Sequence, residues 1–556
     1  VLFLWESIAA KNAKNAAAAR AAARPGAVPT GTAVAGDSTG SSSASPSGAS
    51  TAAASSAPVA ATVAPPVAGT EEKTTVLSND LVRATFSNRG AVLTSYVLLK
   101  HLDDGRHPLE LVRPVPPPAP KPLAVAFPGR PDLDAKVSNA LFTIEREGLP
   151  EQAVRFQYSD GAVSVTKEFR LEPGYLMSVS TSVGGAAYQL SLGTGLRAES
   201  EKEAVTAYAP PASAVATSGG SLHQVRAEKL EKPQVWPLDG GGFVGLQDNY
   251  FLVALIPRAT GAGYAEAVPL KDAAGKPAPL ITAGMTPVSP TALVVSRAYF
   301  GPKDVDVLRN AHAGLERTVD FGWYGILAGP LLWLLKRANG LVGNYGLAIL
   351  LVTLLIRILL FPLMHKSYGS MKKMQKLAPR MNAIKDKYKK AKTDATQRQK
   401  MNEEIMKLYQ SEGYNPMSGC FPILLQLPIL VAFYNVLSKS IELRHAPFVL
   451  WIKDLSAIDP TYVLVILMVV SMYVQQAMTP TTVDPAQKKL FMAMPLMWGF
   501  FMRNYPSGLI LYWLFSNILT VFQQMIINKM GSDAEPEGES GANAKGKQKK
   551  LRQASA

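Results

Sequence analysis

A single cysteine, Cys420, serves all 556 residues. It allows neither an intrachain disulfide nor a cysteine-based zinc site, so the redox compartment cannot be read from cysteine usage. The 6 histidines show no metal-ligand spacing, and no P-loop or Ser/His/Asp arrangement is present. Bulky apolar side chains are scarce from residue 7 to about 70, where Ala, Ser, Thr, Gly, Pro and Val dominate, as in "GTAVAGDSTGSSSASPSGAS". Such sequence buries too little to offset its ordering entropy and reads as a flexible tether. Gly36-Asp37-Ser38-Thr39-Gly40 inside it fits G-x-S-x-G, but the strand and helix that a nucleophile elbow needs are missing. Acidic residues are absent from every long apolar run of the second half.

The chain opens with "VLFLWES". Five apolar residues cannot cross a bilayer, which takes about 20. The stretch reads as the last turn and interfacial Trp5 of an upstream transmembrane helix, a remnant over 1–6 followed by the tether over 7–70.

From about 71 to 318 the apolar period is two. In "VSVTKEFRLEPGYLMSVSTSV", Val163, Val165, Phe169 and Leu171 alternate with Ser164, Thr166, Glu168 and Arg170; Glu172-Pro173-Gly174 then turns the chain, and Tyr175, Met177 and Val179 resume. This pattern predicts a half-buried antiparallel pair. Strands are expected again at 82–87, 153–158, 250–256 and 291–299, giving an all-β sandwich. "GGGFVG" at 240–245 fits G-x-G-x-x-G, but a strand follows it, which excludes the dinucleotide reading.

Beyond 320 come apolar runs. Five are candidates to span a membrane: 345–365, 419–438, 461–478, 490–503 and 509–527. The aromatic-rich stretch from Phe321, interrupted by Gly329-Pro330, is short for a span and reads as an interfacial helix over 319–340. Segment 366–418 holds 13 Lys/Arg and 5 Asp/Glu, net +8; 439–460 holds 3 of each; 479–489 is +1 and the tail from 528 is +2. Positive loops mark the cytoplasmic side. Segment 439–460 and the β domain therefore share the opposite side. The reading is a multi-domain membrane protein: an all-β domain, then an α-helical polytopic core over 341–530 with a cytoplasmic helical hairpin at 371–412, then a basic tail over 531–556.

Arg357 sits in the middle of "LLVTLLIRILLFPLMH". An arginine near mid-membrane costs about 2.5–3.5 kcal/mol on insertion scales. With no Asp or Glu in any span, a buried salt bridge is not available to it, and a water-containing groove is expected. At 1.5 Å per residue, Arg357 lies about 12 Å from the cytoplasmic end of its helix, Gln426 about 10 Å and Asn517 about 15 Å, with Ser516 beside it. Thr353 stands one turn from Arg357 on the same face. These groups either line that groove or act as interhelical hydrogen-bond glue. The 13 apolar residues between Lys489 and Arg503 cover only about 20 Å, which favours local bilayer thinning.

In the cytoplasmic segment, Met374, Leu377, Met381, Ile384 and Tyr388 repeat at 3, 4, 3, 4 spacing, and Met401, Ile405 and Leu408 repeat it after "KKAKTDAT". This predicts an antiparallel helical hairpin with a basic outer face, including Lys372, Lys373, Lys376, Arg380, Lys385 and Lys389. Such a face touches lipid headgroups or docks ribosomal RNA or a targeting receptor; both readings stay open.

"VDFGWYGILAGPLLWLLK" with "VGNYGLAILLVTLLIR", "YNPMSGCFPILLQLPI", "LRHAPFVLWIKDLSAIDP" and "YPSGLILYWLFSN" together resemble the YidC membrane-protein insertases in their Gram-negative form. The resemblance covers nearly everything after residue 71. It implies a periplasmic β-super-sandwich, an interfacial helix and a five-helix inner-membrane core around a groove closed toward the periplasm. Arg357 then matches the family's groove arginine, and Thr353, Gln426, Ser516 and Asn517 its polar lining. The implied activity is insertion and folding of inner-membrane proteins without covalent chemistry, alone or beside the Sec translocon. The implied partners are nascent membrane proteins, membrane lipids, and the ribosome and signal-recognition-particle receptor at the hairpin and tail. No cofactor or DNA is implied. Other classes remain to be weighed. A small-anion transporter could use Arg357, but no inverted repeat is visible. A protease using Ser507 or Ser516 lacks a base at matching depth, since His365 and His445 lie at opposite edges.

Overall fold

The computed structural model describes residues 65–532 except 116–118, 195, 198–211, 239–240, 259–260, 270–278, 289–292, 389–393, 413–420 and 479–484; the side chains at 366, 368–375, 421–423, 485–489, 528 and 530–532 also fall outside the description. The N-terminal stub, the tether up to residue 64 with its Gly36–Gly40 motif, Cys420, Lys389 and the tail from 533 lie outside the described residues.

Among the described residues the first half forms three antiparallel sheets. Four strands run from Thr74–Ser78 to Pro108–Glu110, five have Gln234–Leu238 and Val125–Ala126 at their edges, and nine lie between Ser221–Arg226 and Thr143–Glu145. The expected hairpin is there: Ser164–Leu171 pairs with Leu176–Gly184, Val165 opposite Val183 and Phe169 opposite Val179. Gly174, at φ 81°, makes its turn in a backbone region that glycine enters without steric cost. One buried apolar cluster runs through all three sheets. In it Phe169 stacks on Phe86 at 4.6 Å, joining the nine-stranded sheet to the four-stranded one.

Lys167 lies at the junction of the three sheets and is fully buried. Its Nζ donates to Gly90 O at 3.0 Å and Ala91 O at 3.0 Å, beside the four-stranded sheet, and to Leu123 O at 2.9 Å, beside the five-stranded one. Burial lowers its pKa to about 7, while three carbonyl oxygens match the three donors of an ammonium group.

Among the described residues, two α-helices belong to the β half, α1 (Pro131–Asn139) and α2 (Val305–Asn310). The second half is helical: α3 (Gly325–Val342), α4 (Tyr345–Lys376), α5 (Ala378–Lys387), α6 (Ala395–Ser411), α7 (Phe421–Lys439), α8 (Val463–Met478), α9 (Pro485–Met502) and α10 (Ser507–Ser532). Gly343, at φ 67°, ends α3, and the Asn344 side chain accepts from Leu347 N to start α4. Among the described residues, two segments, Tyr345–His365 and Ser507–Ile527, are long and apolar enough to cross a membrane; Leu424–Lys439, Val463–Met478 and Leu490–Met502 are shorter apolar helices. α4 does not stop at His365 but continues to Lys376, so the hairpin begins as an extension of the apolar helix. In that hairpin Arg380 pairs with Glu412 at 2.5 Å and Lys387 with Glu404 at 3.0 Å. Lys376 and Arg380 are exposed and Lys385 is half-buried, whereas the side chains of Lys372 and Lys373 fall outside the description.

The segment 440–460 caps the helical core. Asp459 accepts from Trp451 Nε1, Thr461 N and Leu464 N, which caps α8, and Ser507 N donates to Ala457 O at 2.7 Å. The same end meets the β domain. Asn249 Nδ2 donates to Ser438 O at 2.6 Å and Arg444 Nη1 to Leu102 O at 2.7 Å, with the Arg444 guanidinium 5.5 Å from the Phe251 ring. Lys336 on α3 bridges Glu442 and Asp306, each at 2.7 Å, and Asp304 at 3.3 Å. Burial alone would lower the Lys336 pKa, but these carboxylates outweigh it and raise it. Segment 439–460 is thus in direct contact with the β domain.

Lys167→Met leaves three buried carbonyls without a donor. It is expected to lower unfolding stability by about 3 kcal/mol, seen as an earlier denaturant midpoint in the fluorescence of Trp236, which is buried in the β domain. An unchanged midpoint would show that the three-sheet junction does not rest on this ammonium.

Candidate functional site

α4 and α10 both start at the 440–460 cap and run away from it side by side, and α7 returns toward it. Arg357 on α4 is therefore level with Ser516 on α10, and its Nη2 donates to Ser516 Oγ. Gln426 on α7 reaches the same point: its Nε2 donates to Tyr512 OH at 2.5 Å and lies 3.5 Å from Ser516 Oγ. Three helices thus converge polar side chains at one depth. Tyr512 and Ser516 are buried, while Arg357 and Gln426 are half-buried, so the cluster opens to one side.

The lining of this cluster is apolar. Tyr512 stacks on Phe433 of α7 with ring centroids 4.1 Å apart, an arrangement that contributes about 0.5–1.5 kcal/mol beyond burial. Next to Arg357, Leu354, Leu355, Ile358 and Leu359 point outward, Leu359 at 76% exposure. A continuous apolar face of this size marks a surface meant for lipid or another protein. Leu355 and Leu359 lie on the far side of α4 from the guanidinium, while Leu354 and Ile358 flank it.

The other expected lining residues go elsewhere. Thr353 Oγ1 donates to Ile349 O of its own helix at 2.6 Å, the backbone bond a threonine makes when it faces a packed seam. Asn517 follows Ser516 in sequence but points about 100° away around α10. Its Nδ2 donates to Ser471 Oγ on α8 at 3.0 Å, joining α8 to α10. Sequence reasoning passed over Tyr512, although it stands one turn before Ser516, and over Ser471, the small polar residue of its run. Ser507, weighed as a nucleophile, donates to Asp454 O at 2.9 Å. No cluster of His, Cys, Asp or Glu able to hold a metal occurs among the described residues.

The two seams respond differently to mutation. Asn517→Ala removes one interhelical bond and is expected to lower the stability of the detergent-solubilised protein by about 0.6 kcal/mol. Gln426→Ala leaves the α8–α10 seam intact, and combining it with Asn517→Ala should give additive losses in a thermal-melt double-mutant cycle. A coupling energy as large as the single losses would join the two seams into one network.

Two family models match successive parts of the chain: the YidC periplasmic domain over residues 74–334 and the 60Kd inner membrane protein over residues 337–534. The membrane protein insertase YidC of Geobacter metallireducens is 44% identical over 317 residues, covering 55% of this chain and 58% of the relative. That of Geobacter sulfurreducens gives the same identity and coverage. The chain thus spans less than two thirds of the length of these Geobacter relatives. The membrane protein insertase YidC of Syntrophus aciditrophicus is 35% identical over 488 residues, covering 84% of this chain and 86% of the relative. On the strength of that near full-length match and the two adjoining domain matches, the chain belongs to the YidC membrane protein insertase family.

Proposed function

We propose that this chain inserts membrane proteins into the bacterial inner membrane, with the β domain on the periplasmic side, and that Arg357, Gln426 and Ser516 line the client's route. The observation that carries this reading is the convergence of three helices on one polar cluster within apolar surroundings. Such a cluster is costly unless it is hydrated or used.

The hydrogen-bonded 440–460 cap lies on the β-domain side of the cluster, which supports a groove reached from the basic, cytoplasmic side. Polar termini or short loops of a client would pass along Arg357 and Gln426 while its apolar segment leaves along exposed leucines such as Leu424 and Leu427 on α7 and Leu496 on α9. In low-dielectric surroundings Arg357 attracts acidic residues of the moving segment more strongly than it would in bulk water. The energy comes from client partitioning and the membrane potential, worth about 2.3 kcal/mol per charge per 100 mV. The Sec translocon, the ribosome and the signal-recognition-particle receptor are the further partners, the latter two at the basic hairpin that runs from the end of α4 through α5 and α6. Lys372, Lys373, Lys376, Arg380, Lys385 and Lys389 are the positions proposed for that contact.

The test places a photoreactive residue at Gln426 and presents ribosome-stalled nascent membrane proteins in native membranes. Crosslinks to the client's transmembrane segment at particular chain lengths are expected, and Arg357→Lys, which keeps the charge, should insert better than Arg357→Ala. Absence of crosslinks at every length, with Arg357→Lys as impaired as Arg357→Ala, would favour a small anion bound bidentately at Arg357.

A further inference from the structure

On α10, Tyr512, Ser516, Thr520, Gln523 and Ile527 follow one another at spacings of four, four, three and four, so they form a single stripe. All five are buried. The first two belong to the polar cluster with Gln426 and Arg357, and Thr520 Oγ1 is satisfied by Ser516 O at 2.8 Å. Ile527 ends the stripe against Met364 of α4, with Leu360 and Leu425 packed alongside. Gln523 stands between these fixed points and so faces the seam of α10 with α4 and α7. It is 6% exposed, and its buried Nε2 has no hydrogen-bond partner among the described residues.

An unpartnered amide inside an apolar helix bundle is expensive, and a leucine of similar size would pack there without that cost. The two helices run side by side, so Gln523 is level with Met364, each seven residues beyond Ser516 and Arg357, or about 10.5 Å toward the cytoplasmic end. The Met364–Ile527 contact lies next to this level, about one turn of α10 beyond Gln523 at Ile527.

We infer that Gln523 is a second hydrogen-bonding station for the client, met before the Arg357 cluster and next to the Met364–Ile527 contact, which a client parts. This rests on the insertase reading above. A backbone entering from the cytoplasm has unpaired donors and acceptors, and the Gln523 amide can offer both to it. Methionine suits that contact because its unbranched thioether repacks easily.

The experiment uses the full-length protein in inner-membrane vesicles, with photoreactive residues placed singly at 426, 523 and 517, and stalled nascent chains of graded length. The expected result is crosslinking at 523 at shorter chain lengths than at 426, and none at 517, which faces α8. In parallel, Gln523→Leu is expected to keep or raise the thermal midpoint, since no bond is lost, while slowing client insertion about fivefold, the effect of one hydrogen bond. Crosslinks at 426 without any at 523 would overturn this inference and leave the insertase reading standing, as would a lowered midpoint with normal insertion per folded molecule. Crosslinks at neither position would overturn both.

Discussion

The helical half is organised around one constraint: a guanidinium at the middle of an apolar helix, in a bundle whose apolar segments contain no carboxylate. A serine hydroxyl on the facing helix and an amide on a third meet at the centre, which leaves the cluster half-open. The surrounding features follow from keeping that charge tolerable. Leu355 and Leu359 of α4 turn away from it, Tyr512 is fixed by its stack on Phe433, and the 440–460 cap bounds it on the β-domain side with a dense set of hydrogen bonds centred on Asp459.

The β half solves a similar problem the other way. The buried Lys167 amine is enclosed completely by three carbonyls from neighbouring sheets. That arrangement fixes structure and leaves nothing for a ligand. Arg357 has half-open surroundings and Lys167 none, a difference of access more than of charge. Between the halves, Arg444, Asn249 and the Lys336 carboxylate cluster tie the β domain to this end of the helical core.

Much of this was legible in the sequence. The period of two located the hairpin at Ser164–Leu171 and Leu176–Gly184, and its parity carried one more message: position 167 falls on the inward face between Val165 and Phe169, so a buried lysine could have been read there. Helical rise gave the depth of Arg357, Gln426 and Ser516, which the structure brings together. Rise alone does not give direction around a helix axis, and so Asn517, adjacent to Ser516, was grouped with it although it faces Ser471. Tyr512 was missed because its ring counts as apolar and only its hydroxyl joins the cluster. The continuation of α4 to Lys376 was hidden because charge marks where a membrane ends, while helix termination needs its own backbone signal, here delayed to the break at Leu377.

The most direct test of a hydrated Arg357 site is thiol reactivity from the cytoplasmic face. In a Cys420→Ser background, Gln426→Cys and Leu359→Cys would each be exposed to a membrane-impermeant maleimide in inverted vesicles. The account predicts that Gln426→Cys is labelled and Leu359→Cys, on the lipid-facing side, is not. A folded, membrane-embedded Gln426→Cys as unreactive as Leu359→Cys would contradict a water-filled groove at Arg357.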